Sequence, residues 1–99
     1  MASQDLICVA IADRALLGFA YNGLPRLAYP CAHGLSTAGK PVLRAHEVTF
    51  GAGGRRVGMG KLFLLASMSD LALTDEHFGH PPRGYRRGDR GMASIHCQL

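Results

Sequence analysis

From Val42 to Phe50 the chain alternates between two sets of side chains. Val42, Arg44, His46, Val48 and Phe50 form one set, and Leu43, Ala45, Glu47 and Thr49 the other. A period of two places successive side chains on opposite faces of an extended strand, whereas a helix would group positions three and four apart. Asn22-Gly23, between Phe19-Ala20-Tyr21 and Leu24, adds a second constraint. Asn and Gly tolerate the positive φ angles of a tight hairpin turn. The sequence therefore predicts a mainly β domain with antiparallel strands.

One helix is expected ahead of the strands. Leu6, Ala10 and Leu17 share a stripe with Ile7 and Ile11 beside it, while Asp13 and Arg14 mark a wetter face. Ser3 can cap the first turn, Asp5 suits the positive end of the dipole, and Gly18 suits the left-handed residue that closes a helix. The expected helix spans residues 3–17. Pro25, lacking an N–H, puts the start of the second strand at an edge, and Pro30 is expected to bend or interrupt it. Residues 36–40 read as a turn, with Gly39 at its flexible position. The glycines at 51, 53, 54, 58 and 60, together with Arg55 and Arg56, predict a mobile loop and no regular element. Residues 62–65 and 71–74 read as short strands. Residues 92–98 read as a final edge strand, with Ile95 and Cys97 facing inward.

At 99 residues the chain is one small domain, and dimerisation would be a natural source of extra stability. Hydrophobic residues make up 47% without a single Trp, so Leu, Val, Ile and Ala must fill the core. The formal net charge of +4 is unevenly placed. Arg83, Arg86, Arg87 and Arg90 face one acid, Asp89, giving a local +3. That segment is either a solvated face or a nonspecific polyanion contact. With Gly and Pro around it, residues 79–99 are expected to form a flexible basic extension. Cys8, Cys31 and Cys97 are odd in number and contain no CxxC pair. No disulfide scaffold is expected, which favours a reducing cytosol. The apolar stretch ending at Asp13-Arg14 is too short for a membrane span and lacks the basic flank of a signal peptide. A soluble cytoplasmic protein is the expectation.

Catalytic and cofactor signatures are absent. Gly60-Lys61 is preceded at Walker spacing by Arg55 and followed by Leu62, and Gly51-Ala52-Gly53 is followed three residues later by Arg56, so neither phosphate-binding fingerprint fits. His77 and His80, Cys31 and His33, and His96 beside Cys97 match no zinc-finger spacing. A Cys31–His33 pair would share a strand face, but nothing supplies an orienting group or an oxyanion hole. Asp70, Asp75 and Glu76 fit turn and cap chemistry. No enzyme, metal or cofactor is expected.

What remains is Tyr21, Arg26, His33, Arg44 and Lys61, spread over successive strands. On a strongly bent sheet they could converge in one groove. Arg offers a fork for phosphate or carboxylate, and Tyr a stacking face. Arg44 lies within an apolar alternating run, where burial without a partner is costly. It must meet an acid such as Glu47 or Asp70, or await an anion.

Taken in order, several segments resemble the WYL domain of bacterial regulators. They are Phe19-Ala20-Tyr21-Asn22-Gly23 with Arg26, the Pro30 strand with His33, Val42-Leu43-Arg44-Ala45, Lys61-Leu62-Phe63, and residues 71–78. The name-giving Trp-Tyr-Leu is reduced here to Pro41-Val42-Leu43. The resemblance implies an α+β, mainly β fold over residues 1–78. In it, helix 3–17 precedes a small, strongly bent, Sm-like antiparallel β-barrel over 18–78. It further implies a non-enzymatic regulatory module that binds an anionic ligand, single-stranded nucleic acid or a nucleotide, through Tyr21, Arg26, His33, Arg44 and Lys61. Larger relatives carry a helix-turn-helix domain ahead of the barrel. A chain without one would act through a separate DNA-binding partner or by forming a homodimer. A protein–protein adaptor, using the Ala-rich helix face and edge strands, and a small-molecule sensor are the competing expectations.

Overall fold

A computed structural model describes residues 3–99. Its helix, α1 (Ser3–Asp13), stops four residues short of the expected end. Arg14 takes the left-handed conformation, φ 52°, that Gly18 was expected to supply. Its N–H donates to the Ile11 carbonyl at 3.2 Å. Leu16 and Leu17 explain the early stop. Both are fully buried, but Leu16 packs with Val48 and Phe78, whereas Leu17 packs with Ile7, Phe19 and Leu43. Neighbouring residues reach two separate clusters when the backbone is extended. The capping role expected of Ser3 falls on a side chain outside those described.

Six strands follow: β1 (Ala15–Tyr21), β2 (Leu24–Ser36), β3 (Pro41–Gly51), β4 (Gly54–Leu64), β5 (Met68–His77) and β6 (Met92–Gln98). All pair antiparallel in the order β4-β3-β2-β1-β5, and β6 pairs with β2. The long β2 makes this possible. Residues 24–28 pair with β1 and residues 32–36 with β6, while β3 lies along the other side. β6 falls where the sequence predicts it. β4 and β5 end the order without pairing with each other, so the sheet is open where a closed barrel was expected. Side chains bridge part of that opening. The Leu64 N–H donates to the Tyr21 hydroxyl at 3.1 Å, and Arg55 of β4 pairs with Glu76 of β5.

The Asn22-Gly23 hairpin forms as expected, with φ of 52° and 82° at the two turn residues. Pro30 does not interrupt β2; the ladder to β3 slips once between Pro30 and Ala32 and continues. Residues 51–60 depart most from expectation. The chain turns at Ala52-Gly53, and β4 then continues through the remaining glycines, with one register slip against β3 between His46 and Val48. Gly60 shows why the glycines are there. A Cβ at this position would lie 3.0 Å from His46 Nε2 and 3.2 Å from Arg44 Cδ, so its absence lets two large side chains cross the strand.

The principal core gathers Ile7, Ala10 and Ile11 of α1 over Leu17, Phe19, Leu43 and Phe63. Phe19 and Phe63 meet edge to face, with ring centroids 5.2 Å apart. Cys8 of α1 is bonded to Cys97 of β6, tying together residues 89 apart in sequence. No disulfide was expected from the odd cysteine count and the missing CxxC pair, and this bond removes the ground for placing the chain in a reducing cytosol. Cys31 alone is free, and it is buried. Among the described residues no helix is long and apolar enough to cross a membrane.

Candidate anion-binding cleft

The five residues expected to share a groove do not all come together; only Arg26 and Lys61 converge, on the Glu47 carboxylate. Sheet alternation divides them first. Leu43 and Phe63 pair within the core, and Ala45 pairs with Lys61 next along the same face, where the Lys61 side chain runs out to solvent; Arg44 and Leu62 pair between them on the opposite face. Arg26 lies on the core side, opposite Phe19. Its Nη1 donates to both carboxylate oxygens of Glu47 at 3.0 and 3.1 Å, and Lys61 Nζ lies 3.8 Å from the same carboxylate. Tyr21 packs edge-on against Phe63 at 4.9 Å, and its hydroxyl is occupied by the Leu64 N–H. It ties β1 to β4 across the open side of the sheet, with its ring and hydroxyl both engaged.

His33 is buried at 1% exposure. Its Nδ1 lies 2.9 Å from the Val42 carbonyl, which can only accept, so Nδ1 carries the proton. Burial, foremost, pushes its pKa below the ordinary value; the bond to Val42 opposes this and His96 adds to it. The ring is a neutral core histidine.

Arg44 meets an acid, but neither Glu47 nor Asp70. Asp89, from the basic segment itself, accepts from Arg44 Nε at 2.6 Å and from Nη2 at 3.0 Å. Arg44 Nη1 also reaches the Gly60 carbonyl at 3.4 Å. The hydrogen bond from Arg44 is the main reason the Asp89 carboxyl is held below its usual range; burial opposes that shift, and the Gly91 N–H supports it. Asp89 thus fastens residues 83–90 over the outer face of β3 and β4.

Between that segment and the sheet lies a cleft of about 630 Å³. Arg44, His46, Met59 and Gly60 form its floor, and residues 83–90 its wall. No family model, curated protein or solved structure matches this chain. The chemistry of the cleft must therefore be read from its own residues. Five guanidinium groups, of Arg44, Arg83, Arg86, Arg87 and Arg90, face a single carboxylate, a net of +4. Arg83, Arg86 and Arg90 are exposed and form no ion pair among the described residues. Arg87 Nε and the Tyr85 hydroxyl both donate to the backbone oxygen of Leu99, at 3.1 and 3.0 Å. Partial burial, first, raises the Tyr85 pKa, so its hydroxyl stays a donor.

His46 completes the floor. It is 2% exposed, and its Nδ1 donates to the Gly58 carbonyl at 3.0 Å, which leaves Nε2 beside Gly60. Sequence reasoning passed over His46 and Tyr85, and only the glycines opposite His46 hinted at its role. The buried Cys31 thiol, pushed up to about 12 mainly by desolvation, stays protonated and is a poor nucleophile.

Proposed function

We propose that this is a non-enzymatic binding module whose cleft takes phosphate groups of single-stranded nucleic acid or a nucleotide. The carrying observation is the net +4 of the cleft, with Arg83, Arg86 and Arg90 in no ion pair among the described residues around a fixed Arg44–Asp89 anchor. Its volume falls within the range of about 300–1,000 Å³ that suits a small ligand or a few nucleotides. Arginine forks match phosphate oxygens, and the Tyr85 ring lies among them as a stacking surface. The likeness to WYL domains, with their Sm-like bend and regulatory role, supports the same class of ligand. The binding residues move, however, from Tyr21, Arg26, His33 and Lys61 to the 83–90 segment.

Fluorescence anisotropy with a labelled short oligonucleotide, and equilibrium dialysis with nucleotides, test this reading. Binding at low salt should weaken steeply as salt rises, because bound phosphates release counterions. Arg86→Ala with Arg90→Ala should reduce both the affinity and the salt slope, whereas Arg26→Ala should change neither. Absence of binding at low salt overturns the reading. Nucleic acid and nucleotides are met in the cytoplasm, where thiols are kept reduced, so Cys8 and Cys97 would be met there as a dithiol.

A second reading, an adaptor or homodimer, has its own support. The edge strand β4 and its hairpin expose Phe50 at 71%, Val57 at 45% and Met59 at 85%. An unpaired edge with apolar side chains is a template for strand addition. A tight dimer by light scattering, with no affinity for oligonucleotide or nucleotide, would favour it.

A further inference from the structure

His33 Nε2 is buried and has no hydrogen-bond partner, while Nδ1 is committed to the Val42 carbonyl. A neutral imidazole with one nitrogen donating to a carbonyl and the other holding a free lone pair is how proteins orient histidine ligands to metals. What surrounds that lone pair is therefore informative.

The strand neighbour of His33 is Cys97. The β2–β6 register slips between the His33–Cys97 and Gly34–Ile95 pairs, leaving His96 as the extra residue. Such a bulge re-aims side chains that would otherwise alternate. The His96 ring accordingly meets His33 edge to face, centroids 5.3 Å apart. Cys97 is bonded to Cys8 of α1, with Cα atoms 5.8 Å apart. Two imidazoles and two sulfurs from α1, β2 and β6 thus occupy one corner of the fold. With the disulfide closed, no three potential metal ligands converge among the described residues.

We propose that opening the Cys8–Cys97 disulfide turns this corner into a zinc site, with Cys8, Cys97, His33 and His96 as ligands. The opening step is ordinary exchange. A dithiol reductant supplies two electrons and two protons, becomes a disulfide itself, and leaves thiols at Cys8 and Cys97. Zn²⁺ then displaces both thiol protons and accepts a lone pair from each neutral imidazole. Two sulfurs about 2.3 Å from a tetrahedral zinc lie ~3.8 Å apart. Rotating the two cysteine side chains provides that separation. His96 is exposed, which gives the ion a path inward. The corner shares no residue with the arginine cleft, so the two readings stand or fall separately.

Cobalt is the probe. The full chain is reduced anaerobically with a phosphine, which contributes no thiol, and titrated with Co²⁺. One equivalent should produce tetrahedral d–d bands and a thiolate-to-cobalt charge-transfer band, both erased by Zn²⁺; the oxidised protein should give neither. His96→Gln changes an exposed side chain and should weaken zinc binding by about tenfold or more. Cys8→Ser should remove much of the charge-transfer intensity. If reduction unfolds the chain, zinc should restore its far-UV circular dichroism, as metal binding and folding are coupled. An octahedral cobalt spectrum, a reduced chain that neither folds nor binds, or wild-type zinc affinity in both His33→Gln and His96→Gln would overturn the proposal.

Discussion

Arg44 and Asp89, 45 residues apart, are joined by two parallel hydrogen bonds, Nε to Oδ2 at 2.6 Å and Nη2 to Oδ1 at 3.0 Å. The Asp89 side chain is only 8% exposed, and Arg44 26%. The fork fixes where the arginine-rich segment lies. It also leaves the surrounding arginines without a competing carboxylate.

Removing one partner of such a pair leaves a half-buried charge uncompensated. Asp89→Ala should destabilise the fold by roughly 2–3 kcal/mol, less than a fully buried pair because Arg44 keeps some water. Urea denaturation at neutral pH measures this. If the segment stays in place, oligonucleotide affinity should rise at low salt, since Arg44 is released and a negative charge is lost. A fall in affinity without loss of fold would separate the cleft from binding.

Acid should weaken the same anchor. The folded pKa of Asp89 lies below its ordinary value of 3.8. Its contribution is complete above the unfolded value and is lost as pH falls through the folded one. Stability should therefore drop below about pH 4, with a shallower acid limb in Asp89→Asn. Thermal melts between pH 2.5 and 6 would show both slopes, and equal slopes would exclude the anchor as their source.

Opening Cys8–Cys97 frees a loop closed across a separation of 89 residues. In metal-free buffer with chelator, reduction should cost roughly 4.5 kcal/mol on the chain-entropy account. Denaturant midpoints with and without reductant measure it. A difference under about 1 kcal/mol would mean that α1 and β6 hold their places without the bond.

Gly34→Ala tests the β2–β6 ladder. A Cβ there would come within 2.9 Å of the Ile95 Cα and meet the backbone of Ser94, neither of which can swing aside. The expected loss is about 2 kcal/mol, with fast amide exchange confined to β6. Uniform loss of protection across the sheet would instead show that β6 cannot detach alone.

Local chemistry determined much of this fold. The alternation of residues 42–50, the Asn22-Gly23 turn and the strand at 92–98 follow from side-chain period and backbone freedom, which a sequence displays directly. Where local signals were ambiguous, tertiary packing chose. Leu16 and Leu17 read as helix until each is required by a different core, and the glycines of 51–60 read as a loop until His46 and Arg44 must cross Gly60. The site was legible only as residue types. Which cation meets which carboxylate depends on faces and register between distant strands. Arg26 with Glu47, Arg44 with Asp89 and Cys8 with Cys97 are pairings of this long-range kind, set by how the sheet folds over itself rather than by any neighbour in sequence.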